Sequence, residues 1–259
     1  MDSLFDLTGQ VAIVTGSTKG IGQAIARRMA QHGARVVISS RKADRCEAVA
    51  AEIRSEGGQA MAQACNVTRR EDLDALVDAT LAHWGRIDIL VGNAAANPYF
   101  GPSIDMPESA WDHVLNSNLK SLMILCNRVL PQMAERRDGA VIFVSSVGAY
   151  QGSDRMGVYS ISKAAELQLA RNLAVEWGPK GIRANCIAPG LIRTDFSRAL
   201  WQNPELLQRR QALTPLQRIG DPDEIAGAAV FLASKAAGFM TGQTLVIDGG
   251  RLIGEVSQS

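Results

Sequence analysis

The chain alternates between two hydrophobic patterns. Short, continuously apolar runs at residues 10–15, 34–39, 60–64, 87–91, 141–144, 183–187 and 244–247 read as strands. Between them, apolar positions recur every three or four residues, as on one side of a helix. Ile21, Ile25, Ala26 and Met29 form such a stripe within 21–32, and Leu73, Leu76, Val77 and Thr80 form another within 71–83. Further helices are predicted over 43–56, ended by Gly57-Gly58, and from about Glu108 towards the fifth strand. Two more span 158–177, closed by Gly178-Pro179, and 222–234, opened by Pro222-Asp223-Glu224.

Strands that are apolar without alternation belong to a parallel sheet covered on both faces. Regular strand–helix alternation gives such a sheet right-handed crossovers. No repeat, low-complexity segment or linker interrupts the pattern. Residues 1–259 are therefore expected to form a single α/β domain, doubly wound in the Rossmann manner, with a seven-stranded, mostly parallel sheet and helices on both faces. In these sheets ligands bind beyond the carboxyl ends of the strands, so the residues found there are the candidates for chemistry.

Composition narrows the partners. Lys and Arg total 27 against 26 Asp and Glu, a net charge of +1, which offers no field to attract nucleic acid or an anionic membrane. No apolar run nears the roughly 18 residues of a membrane span. Cys46, Cys65, Cys126 and Cys186 are scattered, with no Cys-x-x-Cys pair, so buried free thiols are expected and no metal site. The first residues, Met1 to Asp6, show neither a basic nor an apolar signal region, and Val256-Ser257-Gln258-Ser259 is not a peroxisomal tripeptide. A reducing, cytoplasmic setting is expected.

The first strand runs into Thr15-Gly16-Ser17-Thr18-Lys19-Gly20-Ile21-Gly22 and then a helix. Glycines here let the backbone approach a dinucleotide pyrophosphate, which the helix N-terminus attracts with free N–H groups and its dipole. The spacing is Gly-x-x-x-Gly-x-Gly, and by itself it equally fits a tight strand–helix turn. The second strand ends at Ser39-Ser40-Arg41-Lys42, with no acid before Asp44 to accept from the ribose of NAD. Arg41, with Lys19, instead suits the 2′-phosphate of NADP. NADP(H) is the preferred cofactor, with NAD(H) as the other option.

Tyr159-Ser160-Ile161-Ser162-Lys163 lies on the helix after the fifth strand. Residues four apart share a helix face. A tyrosine of ordinary pKa, about 10, is a poor acid/base at neutral pH, and a neighbouring ammonium is expected to lower that value. Tyr159 could then give a proton to a carbonyl or take one from an alcohol. Ser146, at the carboxyl end of the fifth strand, could hold the substrate oxygen or simply cap a turn. Asn118 is a poor helix former in mid-helix, a misfit or a water holder.

Together these residues resemble the short-chain dehydrogenase/reductase family over nearly the whole chain. The glycine turn, Asn118, Ser146, Tyr159 and Lys163 follow the family's order and approximate spacing. The resemblance implies a catalytic set in which Ser146 polarises the carbonyl, Tyr159 donates the proton, Lys163 binds the nicotinamide ribose, and Asn118 holds a relay water. It implies cofactor contacts from Gly16, Ser17, Thr18, Lys19, Gly20, Ile21, Gly22, Ser40, Arg41, Asn66, Val67, Asn93, Ala94, Tyr159, Lys163, Pro189, Gly190, Ile192 and Thr194. The chain departs from the family pattern at Gly92-Asn93-Ala94-Ala95, where Asn-Asn-Ala-Gly is usual, and at Asn66, where an Asp is usual. The segments Asn93 to Gly101, Ser39 to Lys42 and Thr194 to Trp201 further resemble the NADPH-dependent carbonyl (retinal) reductase branch. The family's habit of forming tetramers implies a homotetramer.

The expected reaction is hydride transfer between NADP(H) and a small-molecule ketone, aldehyde or secondary alcohol. Ser146, Tyr159, Tyr99 and Phe196 are the candidate substrate contacts. Residues 191–213, with Phe196, Leu200, Trp201, Leu206 and Leu207, are expected to form either a lid or a surface helix packed on the core or on a neighbouring subunit. The alternatives are an NAD-dependent alcohol dehydrogenase and a catalytically silent dinucleotide sensor on the same fold.

Overall fold

In the computed structural model, which describes residues 4–254, the elements follow one another as strand and helix almost throughout. They run β1 (Val11–Thr15), α1 (Gly20–Gln31), β2 (Arg35–Ser39), α2 (Ala43–Ser55), β3 (Gln59–Ala62), α3 (Arg70–Trp84) and β4 (Ile89–Gly92). After these come α4 (Glu108–Leu115), α5 (Ser121–Arg136), β5 (Gly139–Val144), α6 (Gly157–Trp177) and β6 (Ile182–Pro189). The last are α7 (Arg198–Trp201), α8 (Pro204–Ala212), α9 (Pro222–Ala233) and β7 (Thr244–Ile247). The targeting expectation at residues 1–3 and 255–259 lies outside the described residues.

The strands form one sheet in the order β3-β2-β1-β4-β5-β6-β7, and every neighbouring pair is parallel. Successive strand residues point to opposite faces. Ala12, Val14, Ile38, Val91 and Ile142 meet Ile25, Met29, Ala226 and Val230 of α1 and α9 on one face. Ile13, Val37, Leu90, Val141 and Phe143 meet Leu73, Leu125, Val129 and Leu167 of α3, α5 and α6 on the other. Both faces need apolar side chains, which is why the strand sequences do not alternate.

The amino end of the sheet is fastened by Asp88, a buried acid just before β4. Its carboxylate accepts from Val11 N at 2.9 Å, from Arg86 Nε and Nη2 at 2.7–3.0 Å, and from Arg136 Nη2 at 3.2 Å. One side chain thereby ties β1, β4 and α5 together.

The long helix expected from Glu108 is two helices joined by a π turn at Asn116–Lys120. The four cysteines are buried free thiols. Burial pushes the Cys65 and Cys126 thiols up to about 12. No helix among the described residues is long and apolar enough to cross a membrane.

Candidate active site

The glycine turn lies between the carboxyl end of β1 and α1. Gly16 (φ +67°) and Gly20 (φ +56°) occupy the left-handed region that a side chain disfavours. A Cβ on Gly22 would come within 2.4 Å of Asn93 Nδ2 and 2.5 Å of Gly16 O, so the first turn of α1 sits directly on the loop. Asn93 holds the loop in place. Its Nδ2 donates to Thr15 O at 2.9 Å and Gly16 O at 3.3 Å, while Thr15 Oγ1 accepts from Asn93 N and Ala94 N. No side chain caps the N-terminus of α1, whose N-cap is the exposed Lys19.

Several predicted cofactor residues have partners that the sequence did not show. Ser17 is buried, donating to Val14 O and accepting from Ser39 N, so its hydroxyl joins β1 to β2. Lys19 pairs with Asp195, 3.7 Å away. Arg41 is exposed just beyond β2 and makes no ion pair among the described residues. Ser40 is tied to Cys46, whose sulfur accepts from Ser40 N at 3.1 Å. The Asn66 carbonyl oxygen accepts from the Thr68 N–H and hydroxyl, which leaves Asn66 its amide donor. Val67 is half-buried against the α3 side of the core.

Beyond β6, Gly190 approaches Asp248 so closely that a Cβ would lie 2.8 Å from its Cα. Ile192 is buried and bridges to Gly220. Thr194 lies over the glycine turn, its methyl 3.1 Å from where a Gly20 Cβ would be. A groove consequently runs between the start of α1 and residues 193–195, lined by Gln23, Arg193 and Asp221.

Ser146, Tyr159 and Lys163 converge at the carboxyl end of β5. Ser146 leaves the strand with extended backbone, and its Oγ accepts from Gly148 N at 3.1 Å, capping the turn Val147–Ala149. Tyr159 sits in the first turn of α6 and Lys163 one turn on, with the ammonium 5.7 Å from the tyrosine ring centre. Lys163 Nζ donates to Val144 O at 3.0 Å and to Glu166 Oε1 at 2.7 Å. Both members of the Lys163–Glu166 ion pair are only 2% exposed.

Asn118 is fully buried in the π turn. Its side chain accepts from Ala96 N at 2.8 Å and donates to Ala96 O at 3.1 Å and Ser162 Oγ at 3.0 Å. The residue that looks misplaced in a helix therefore clamps the loop after β4 to α6. A π turn is a common device where a helix passes a functional site.

The electrostatics correct one expectation. The Tyr159 hydroxyl is raised, not lowered, from its ordinary value. Burial is the main cause, Lys163 and the Ser146 hydroxyl oppose it, and the negative charge of Glu166 adds to it. The ammonium does favour the phenolate, but it already has an anionic partner. Burial lowers Lys163, yet Glu166 and Tyr159 more than offset this and hold it above the usual lysine range. Glu166 itself is pushed up to about 7, chiefly by burial and against the pull of Lys163. Glu166 was not among the predicted site residues. The available signal was its spacing, three residues beyond Lys163 and seven beyond Tyr159, which puts it on the same helix face.

On the substrate side, the Phe196 ring centre is 6.1 Å from that of Tyr159, and Phe196 is 54% exposed. Tyr99 instead turns its hydroxyl to Pro102 O, within its own loop. That loop meets the segment before α6 through the Gly101–Met156 bridge. Neither α7 nor α8 contains a buried residue, and Leu206 is exposed.

Residues 16–251 match the family model described as enoyl-(acyl carrier protein) reductase. Dehydrogenase/reductase SDR family member 4 of Bos taurus is 45% identical over 246 residues, which span 95% of this chain and 88% of the relative. The chain belongs to the short-chain dehydrogenase/reductase family. Homo sapiens SDR family member 2, by name mitochondrial, is 44% identical to this short-chain dehydrogenase/reductase over 243 residues, 94% of this chain and 86% of its own. A 7 alpha-hydroxysteroid dehydrogenase solved with NADH and 7-oxo glycochenodeoxycholic acid superimposes with a TM-score of 0.93, at 38% identity and complete coverage of both chains. A gluconate 5-dehydrogenase from Burkholderia cenocepacia, solved with NADP and tartrate, gives 0.92 at 34% identity, covering 96% of this chain and 97% of that one. As a member of this family the protein is an NAD(P)(H)-dependent oxidoreductase interconverting carbonyl and alcohol groups.

Proposed function

We propose that this short-chain dehydrogenase/reductase reduces a small ketone or aldehyde with NADPH, using Tyr159 as the proton donor. The observation that carries the reading is the convergence of Ser146, Tyr159 and Lys163 beyond β5.

The residues fit the cofactor. The uncapped N-terminus of α1 and the left-handed Gly16 and Gly20 suit a diphosphate. Arg41, exposed and without an acidic partner among the described residues, suits a 2′-phosphate, with Ser40 beside it. Asn66 and Val67 would border the adenine, Asn93 and Ala94 would hold the loop beneath the cofactor, and Pro189, Gly190, Ile192 and Thr194 would face the nicotinamide end. When bound, the nicotinamide supplies the hydride.

The chain's own residues manage the proton. Ser146 orients the carbonyl oxygen, and Tyr159 donates to it. Lys163 holds the cofactor ribose and stabilises the phenolate left behind. Asn118 keeps the π turn and α6 in register beside them. Phe196 supplies an apolar wall next to Tyr159, and residues 191–213 act as the lid, since α7 and α8 bury no residue of their own. Tyr99 shapes the opposite wall through its loop.

The assembly in this reading is a homotetramer. Its supports are the exposed apolar residues Trp111, Met123 and Ile161 on the helices near Asn118 and Tyr159, and Val175, Phe239 and Val246 near the free edge of β7. A cytoplasmic setting suits its free thiols. A second reading, NAD-linked alcohol oxidation, draws support from the structural relative solved with NADH.

Titration with NADPH and NADH, followed by nicotinamide fluorescence and turnover of a carbonyl panel, tests the proposal. NADPH should bind the more tightly, and Arg41→Asp should weaken NADPH on the order of tenfold or more while sparing NADH. Preference for NADH that Arg41→Asp leaves untouched would favour the second reading.

A further inference from the structure

Glu166 is a buried carboxylate that the reaction as described does not use. Its Oε1 takes a 2.7 Å hydrogen bond from Lys163 Nζ, and the Ser145 hydroxyl is the other side-chain group at its carboxylate. The carboxylate lies next to the ammonium that serves the catalytic tyrosine. The groups packed around it are few. Lys163 and Tyr159 share its helix, the Ser145 hydroxyl lies at the end of β5, and Cys186 of β6 places its sulfur 3.6 Å from Glu166 O, with Arg171 the next cation beyond Cys186. Lys163 is thus the cation that directly offsets Glu166, and Glu166 is the anion that directly offsets Lys163.

We propose that Glu166 is a positioning residue for the reaction, anchoring the Lys163 ammonium against Val144 O and moderating by its charge how strongly Lys163 favours the Tyr159 phenolate. The proposal rests on Tyr159 being the acid/base. Two of the three ammonium hydrogens are committed, to Glu166 and Val144, leaving one for the tyrosine side and the cofactor ribose. With Glu166 ionised, much of the lysine field is cancelled. With Glu166 neutral, the field reaches Tyr159 in full and makes it a stronger acid. Burial raises the carboxyl from its ordinary value, against the pull of Lys163, which brings its neutral form closer to reach.

The test is an ultraviolet difference titration of tyrosinate in the full chain, taking Tyr159→Phe as the reference that removes the signals of Tyr99 and Tyr150. Glu166→Gln keeps the shape and removes the charge, so the Tyr159 midpoint should fall by on the order of one pH unit. The alkaline loss of kcat for carbonyl reduction should move down with it, while KM changes little. Glu166→Asp, which draws the charge back by one methylene, should give a smaller fall in the same direction and decides the matter if the Gln variant does not fold. A midpoint that stays put or rises in either folded variant overturns the proposal. The titration reads Tyr159 directly. A fully active Tyr159→Phe would thus refute the acid/base reading without being mistaken for a failure at Glu166.

Discussion

Two buried carboxylates, one at each end of the sheet, show how differently the same group can be used. Asp88, at the amino end, accepts from a backbone N–H and from two arginines, so both its oxygens are satisfied. Glu166, by the carboxyl end of β5, is met by one cation and the Ser145 hydroxyl. The Asp88 cluster joins elements that must not move, and its arginines keep 28–41% of their side chains exposed, which limits the desolvation cost. The Glu166–Lys163 pair is almost wholly enclosed, and its cation sits 5.7 Å from the Tyr159 ring centre. An acid shared by two arginines and a backbone N–H reads as a fastening, one paired with a buried lysine beside a candidate acid/base as part of a site.

The largest expected effect separates the two ends outright. Tyr159→Phe keeps the ring and its contact with Phe196 but removes the proton, so kcat should fall by about 10²- to 10⁴-fold with melting unchanged. Single-turnover kinetics alongside thermal denaturation measure both. The mirror experiment is Asp88→Ala. It leaves Val11 N and two arginines without their acceptor and should cost about 2–3 kcal/mol of stability, seen as a melting point lower by roughly 5–10 °C, with kcat per folded molecule intact. If Asp88→Ala instead lowered kcat in proportion, the two ends would be coupled and the contrast would fail.

The same contrast explains what could be read in the sequence. The parallel sheet was legible because burial on both faces forces unbroken apolar strands such as Val11–Thr15 and Gly139–Val144. Tyr159, Lys163, Ser146 and the glycine turn were legible as a constellation. Their surroundings were not. Asn118 read as either a misfit or a water holder because a π turn has no composition signal, and Lys19 was placed with Arg41 because sequence does not show that Asp195 lies across the turn. The net acidity of Tyr159 runs opposite to the expectation because burial outweighs the lowering that Lys163 does supply, with Glu166 adding a smaller push. One clue was present. On the buried stripe of α6, Tyr159, Ser162, Lys163 and Glu166 hold positions that apolar residues would otherwise fill, ahead of Leu167 and Ala170.

The smallest effect sharpens the comparison, because it tests whether position at the carboxyl end is itself enough to imply function. The N-terminus of α9 lies there, close to the groove beside α1. Glu224 accepts from Asp221 N at 2.9 Å as the returning half of a capping box, and Arg218 grips both its oxygens at 2.6–2.8 Å. Chiefly through the Arg218 hydrogen bonds, its carboxyl is held down to about 2. The pair is 40–49% exposed, so solvent screens most of this and the cap supplies the stabilisation. Glu224→Ala should therefore lower the melting point by only about 2–4 °C at neutral pH. Because the folded value is depressed, the benefit is present above the unfolded carboxyl value of about 4.3 and fades as pH falls towards 2, where variant and parent should melt together. Every polar contact of Glu224 is satisfied, so kcat should not change. If it did, the partners a carboxylate keeps would lose their value for telling fastening from site, and Glu166 would have to be judged on its contact with Lys163 alone.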